Sequence, residues 1–202
     1  MDKPTLSRRS FLIASTSAGL VFGFAAVAHS ASAFAPTIWY SMAPDGVVTV
    51  NIIRAEMGQH VGTSLARILA DELEVEWNKI RIKHVDTDPK WGLMVTGGSW
   101  SVWQTFPIFN QAGAAGRITL IEAGAKLLGV SSADCKAQNG VVIGGGNSFS
   151  YSEIIARGDI SKTYTEDELK KLPIKPATER RFIGKPVTAI DIQEKTNGTA
   201  IY

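Results

Sequence analysis

Cysteine is nearly absent from the 202-residue chain, where Cys135 stands alone. A single thiol cannot close an intramolecular disulfide or build a Cys-rich zinc or iron–sulfur site. An excess of one charge is also lacking: Lys+Arg 21 balance Asp+Glu 19, for a net charge of +2. With no basic surplus to neutralise phosphates, no nucleic-acid partner is expected. The Walker Gly-Lys-Ser/Thr loop, the G-x-G-x-x-G fingerprint and the G-x-S-x-G elbow are missing, which removes the usual nucleotide-binding and serine-hydrolase signatures. What is present, 45% hydrophobic and 20% charged residues, is the composition of a globular protein with a sizeable core, one domain with an appendage.

The N-terminus has the three-part layout of an export signal. Arg8 and Arg9 precede Phe11 and Leu12, no charged residue follows before Phe34, and Ala31-Ser32-Ala33 is an A-x-A cleavage site. The arginine pair resembles a twin-arginine signal, so residues 1–33 are assigned as a leader and the protein to the periplasm or the periplasmic face of the inner membrane. The other reading, a membrane anchor, meets a short apolar segment interrupted by Gly19 and Gly23. The twin-arginine machinery carries folded proteins, often with a cofactor already inserted, which favours a periplasmic redox protein.

The rest is expected to be α/β, of mixed α+β type: a mixed sheet with packed helices. TIWYSM and VVTVNIIR are predicted as two strands around Pro44-Asp45-Gly46, with Val48, Val50 and Ile52 on one apolar face. VGTSLARILADELEV is a helix with Leu65, Ile68, Leu69 and Leu73 on one side, capped by Thr63 or Ser64. KIRIKHV is a strand, and DTDPKWGLMVTGGSWSVWQTF a loop. A helix then starts at Pro107, and its run Ala112 to Gly116 implies close approach of a neighbouring backbone or a ligand. Cys135 falls in a strand of a hairpin turning on Asn139-Gly140, and Gly144-Gly145-Gly146 is a second hairpin loop. Thr165 and Glu168 have capping-box spacing, PIKPATERRFIGKP is an extended surface connector, and GTAIY opens another strand. The chain looks interrupted there.

Two segments carry candidate chemistry. Glu56 to Thr63, EMGQHVGT, joins a strand end to a helix start, where unpaired N–H groups and the helix dipole favour anionic or polar ligands. Gln59 can both donate and accept, which suits a ring with mixed edge polarity; a Gly-containing turn with a solvated Gln is the alternative. TGGSWS, Thr96 to Ser101, can form a backbone nest for phosphate oxygens. Trp91, Trp100 and Trp103 form either a lid on the core or an aromatic channel. His60, His84, Asp86 and Asp88 have no known metal-ligand spacing, and the acids fit turn positions better.

In order, the twin-arginine signal, EMGQHVGT, ADELEVEW, TGGSWSVW and AGAAGR resemble the molybdopterin-binding large subunit of the xanthine dehydrogenase family. The similar branch is the exported one, with the beta chains of isoquinoline 1-oxidoreductases and membrane-associated aldehyde dehydrogenases. The resemblance implies that Met57, Gly58, Gln59 and His60 approach the pterin, with Gln59 hydrogen-bonding it. Thr96, Gly97, Gly98 and Ser99 then hold the phosphate end of a molybdopterin cytosine dinucleotide. The molybdenum is held by cofactor sulfurs, so no protein metal ligand is expected. The implied reaction is oxidation of an aldehyde or N-heteroaromatic with water as the oxygen source, electrons leaving through a small [2Fe–2S] subunit toward a c-type cytochrome.

The same resemblance makes 34–178 a segment of the molybdopterin-binding domain. It makes 179–202 a linker and the start of a truncated hammerhead domain, with KTNGTAIY as its opening. The remainder of the large subunit, including its general-base glutamate, is then a required partner, and the chain is expected to be inactive alone. Relatives carry Gly where this chain has His60, which matters if that backbone is left-handed. The alternative is a non-catalytic periplasmic binding or assembly module with the same fold.

Overall fold

The computed structural model describes residues 34–200. The expected leader, with its arginine pair and cleavage site, lies outside the described residues, as do Ile201 and Tyr202. A four-stranded sheet is built from β1 (Phe34–Thr37), β2 (Tyr40–Met42), β3 (Val48–Ile52) and β4 (Ile80–His84), in that spatial order. β1, β2 and β3 pair antiparallel. β3 and β4 pair in parallel, Val48 against Ile80 and Ile52 against His84, so the connection between them must cross over. That crossover is helix α1 (Val61–Leu73).

Helix α2 (Ser101–Leu128) packs on α1 and leads to an antiparallel sheet of β5 (Lys136–Gln138), β6 (Val141–Gly144) and β7 (Asn147–Ser150). Short helices α3 (Tyr151–Arg157), α4 (Glu166–Lys171) and α5 (Ile192–Asn197) follow. The mixed α/β class is as expected. Val48, Val50 and Ile52 are buried against Leu65, Leu69 and Leu73 in one core. Among the described residues no helix is long and apolar enough to cross a membrane.

Local signals worked where both partners are close in sequence. Asn139 and Gly140, at φ 50° and 74°, turn the β5–β6 hairpin, and Gly145 and Gly146 turn the next one. The Thr165–Glu168 capping box starts α4.

Several expectations are corrected. The first strand is two, because the Thr37 hydroxyl accepts from Trp39 N (3.3 Å) and the Asn51 amide donates to Ile38 O (2.8 Å), which holds a turn at Ile38-Trp39. His60 stands at the N-cap position of helix α1 without a capping side-chain bond, and Thr63 and Ser64 lie inside its first turn. Helix α2 begins at Ser101, leaving Pro107 within the helix; the site is exposed, so water can serve the carbonyl that loses its partner. Cys135 closes a short 3-10 turn ahead of β5 instead of lying in a strand. Gly198 ends α5, and no strand has begun by Ala200.

The connector is not a free surface strand. Running from residue 175 to 195, it lies antiparallel along α1. Lys175 pairs with Glu74, the backbone N–H groups of Arg181, Phe182 and Ile183 donate to the Asp71 carboxylate, and Arg67 donates to the carbonyls of Phe182 and Lys185. Ile190 N donates to the Thr63 hydroxyl at 3.0 Å.

Candidate cofactor-binding site

The two segments singled out in the sequence come together in space. Arg54, buried at the end of β3, donates to Leu93 O (3.1 Å), Val95 O (2.5 Å), the Gln104 amide oxygen (3.0 Å) and the Thr105 hydroxyl (3.2 Å). One guanidinium thus fixes the 93–96 stretch of the loop to the start of α2. Burial lowers its pKa from the usual arginine value. Ala55 N then donates to the Thr96 hydroxyl at 2.8 Å, joining the two segments directly. Sequence reasoning missed Arg54; its only signal is a lone cation closing an apolar strand.

The 56–60 turn is held from within. The Glu56 carboxylate accepts from Gly58 N (2.8 Å) and His60 N (3.1 Å). Gln59 folds back, accepting from Met57 N (2.6 Å) and donating to Ala55 O (2.8 Å). Each end of its amide keeps one further hydrogen-bonding position for a ligand. His60 has φ 58° and ψ 37°, the left-handed backbone that favours glycine. The second turn, Gly97 to Trp100, is a tight turn with Gly98 and Ser99 at φ 58° and 57°, closed by Trp100 N to Gly97 O (3.3 Å).

Between the turns lies a cavity of about 340 Å³ lined by Met57, Gln59, Thr96, Gly97 and Ser99. Val61 and Ser64 from the first turn of α1, and Ser101 and Val102 from that of α2, complete it. Neither helix has an acidic residue in its first turn, and the positive dipole ends of both converge here, that of α1 partly met by the Glu56 carboxylate on His60 N. The indole N–H of Trp100, between two lining residues, is buried without a hydrogen-bond partner. Space at the lower end of the roughly 300–1,000 Å³ range of small-molecule sites fits one end of a dinucleotide, not the whole. Of the expected contacts, Gly58 and Gly98 shape the turns without lining the cavity, and His60 points elsewhere.

His60 Nδ1 lies 3.2 Å from the Asp191 carboxylate. Lys195 Nζ bridges Asp191 (2.6 Å) and Glu56 (2.8 Å), and this ammonium holds both carboxylates below their ordinary pKa against the opposing effect of burial. Ligand atoms of Glu56, His60 and Asp191 lie within 4.8 Å of one another, the one such group among the described residues, but Lys195 supplies its cation. A second cavity of about 490 Å³ borders this group, with Ile52, Ile82 and Met94 on its walls and His84 at its edge. The loop tryptophans do not form one cluster. Trp91 is buried against Trp39 (5.8 Å between centroids), whereas Trp103 is 75% exposed. Burial raises the Cys135 thiol pKa, which disfavours a nucleophilic role.

A model of the molybdopterin cofactor-binding domain matches residues 5–181. The chain belongs to the molybdopterin cofactor-binding domain family. Its sequence is 54% identical over 214 residues to the membrane-bound aldehyde dehydrogenase [pyrroloquinoline-quinone] of Gluconacetobacter polyoxogenes, covering 100% of this chain and 28% of that protein. It is 25% identical to the beta chain of isoquinoline 1-oxidoreductase from Brevundimonas diminuta, covering 98% of this chain and 31% of the relative. A nicotinate dehydrogenase subunit of Pseudomonas putida is 24% identical over 82% of this chain and 14% of its own length.

The family resemblance drawn from EMGQHVGT and TGGSWSVW therefore holds, to the isoquinoline oxidoreductase and aldehyde dehydrogenase branch. The chain spans less than a third of the length of these curated relatives. Among solved structures, quinoline 2-oxidoreductase from Pseudomonas putida 86 matches with TM-score 0.44 and 24% identity, over 58% of this chain and 15% of that one.

Proposed function

We propose that this chain forms part of the large subunit of a molybdenum hydroxylase, oxidising an aldehyde or an N-heteroaromatic compound with water as the oxygen source. The observation that carries the reading is the cavity between the 56–60 and 97–100 turns, where the first turns of two helices, neither containing an acidic residue, meet hydroxyl, amide and glycine positions. When bound, molybdopterin supplies the two-electron chemistry. The residues of this chain bind and orient it. Gln59 offers one free donor and one free acceptor to a pterin edge, Met57 covers an apolar face, and Thr96, Gly97 and Ser99 with the first turns of α1 and α2 hold anionic oxygens. His60 and Gly58 shape the turn, and Gly98 the opposite one. The cytosine dinucleotide is the form assigned.

In this proposal residues 1–33 are a twin-arginine leader, 34–178 a segment of the cofactor-binding domain, and 179–202 a linker into a hammerhead domain. The periplasm is the working compartment, close to the inner membrane. A small [2Fe–2S] subunit and a c-type cytochrome carry electrons away, and the rest of the large subunit completes the active site. Alone the chain is inactive.

Gly97→Asp tests the cofactor site directly. A side chain at Gly97 meets nothing within 4 Å and no positive φ, so the fold accepts it while a carboxylate enters the cavity. In the complete enzyme, molybdenum and released pterin are expected to be stoichiometric in the natural protein. In the variant both should fall to roughly a tenth, which from near-saturation requires a loss of at least about 2.7 kcal/mol of binding, with unchanged thermal unfolding of the cofactor-free protein. Pyrroloquinoline quinone without molybdenum would overturn the assignment, and absence of both would favour the non-catalytic module.

A further inference from the structure

The group formed by Glu56, His60, Asp191 and Lys195 is not needed to line the cofactor cavity, yet it grips the turn that does. We propose that residues 190–195 are a latch on the 56–60 turn, with Lys195 and Asp191 acting as positioning residues for Met57 and Gln59. The inference rests on the cofactor reading above for what the turn binds, and on geometry alone for the grip.

One Glu56 oxygen, Oε1, accepts from Gly58 N (2.8 Å), from His60 N (3.1 Å) and from Lys195 Nζ (2.8 Å). The carboxylate is the inner brace of the turn, and the ammonium fixes the carboxylate. Lys195 in turn is set by Asp191 (2.6 Å), the residue just before α5, whose other oxygen faces His60 Nδ1 (3.2 Å). The side chains of Glu56, Asp191 and Lys195 are only 10%, 13% and 12% exposed, so the pairs are shielded from the solvent screening that weakens surface bridges. Ile190 N adds a bond to Thr63 in the first turn of α1 (3.0 Å).

The turn has reason to need outside support. His60 holds a left-handed backbone with a Cβ, and no side chain caps α1 there. Gly58, at φ 94°, is open to almost any conformation. Gln59, spent partly on its own loop, keeps its free donor and acceptor aimed only while Met57 N and Ala55 O stay in place. Releasing Lys195 frees Glu56, then the N–H groups of Gly58 and His60, and the cavity wall loosens without any cofactor contact being removed.

The test uses the complete enzyme and reads amide hydrogen exchange at Gly58 and His60, with amides of α2 between Ala114 and Leu120 as the reference for global opening. In Lys195→Met, exchange at the two turn amides is expected to rise by roughly tenfold or more while α2 stays protected. Molybdopterin content should fall in parallel, and Lys195→Arg should restore both. Asp191→Asn, which keeps shape and leaves the Glu56–Lys195 pair, serves if Lys195→Met does not fold, and is expected to give a smaller rise. Unchanged turn exchange, or a rise matched by α2, overturns the latch. Faster turn exchange with full cofactor content overturns the positioning role. A natural protein without molybdopterin removes the cofactor reading and with it the positioning role, while the exchange result still decides the grip.

Discussion

His60 occupies a backbone region where a Cβ costs about 1–2 kcal/mol, and it keeps the place through a side chain that reaches Asp191. Two substitutions separate these effects. His60→Ala keeps the Cβ and loses the contact, whereas His60→Gly loses the contact but relieves the backbone. The alanine variant is expected to be less stable than the glycine variant by about 1 kcal/mol, measured by denaturant unfolding. Equal stabilities would mean that the left-handed turn is not formed in solution. Glycine-rich surroundings marked this position in the sequence, but nothing there marked its partner. Asp191 lies 131 residues away, beyond the reach of any local pattern. Arg54 escaped for the same reason: its acceptors sit 39 to 51 residues downstream, and two of the four are backbone carbonyls, which every residue carries.

Among the elements, the contact between α1 and α2 explains the run of small residues that looked ambiguous in the sequence. A Cβ on Gly113 would fall 2.7 Å from the Glu72 Cβ, and one on Gly116 would fall 1.8 Å from the Tyr40 hydroxyl and 2.7 Å from Leu73. The close neighbours are protein, on α1 and β2, and not a ligand. Tyr40 is fully buried and Leu73 likewise, so neither can swing out of the way. Gly116→Ala is therefore expected to cost about 3 kcal/mol, at the upper end of overpacking effects, despite alanine's better helix propensity. Thermal unfolding checks it, and a stabilised variant would disprove the close approach. Strand β3 and the α4 capping box were readable because alternation and cap spacing are complete within a few residues. The start of α2 was not, since Pro107 signals a first turn and only its exposure lets the helix extend six residues further upstream.

Across the whole molecule, one face of α1 organises the returning chain. Thr63, Arg67 and Asp71 recur at four-residue spacing, and Glu74 continues the row, each bonded to the segment between residues 175 and 190. This polar stripe was hidden in a helix read for its apolar side. It converts a Pro-rich connector into a strap that ends against the 56–60 turn, where Asp191 and Lys195 meet His60 and Glu56. Its anchor is Lys175, only 7% exposed, whose ammonium pairs with Glu74 and donates to Asp71 O (3.0 Å). Beside it, the Glu72 carboxylate takes Arg117 (2.6 Å) and the Lys175 backbone N–H (3.1 Å). Removing one partner of such a buried pair costs about 3–5 kcal/mol, because the remaining charge stays desolvated. Lys175→Met should lose about 3 kcal/mol, the lower end of that range, because Arg181 still faces the Glu74 carboxylate at 3.1 Å. Adding Glu74→Gln should recover part of it, since the buried carboxylate is then gone and Arg181, whose side chain is 28% exposed, can turn to solvent. Urea unfolding of the single and double variants measures the difference. If the double variant is no more stable than the single one, the strap is held by backbone contacts to Glu72 and Asp71 and not by its buried charge.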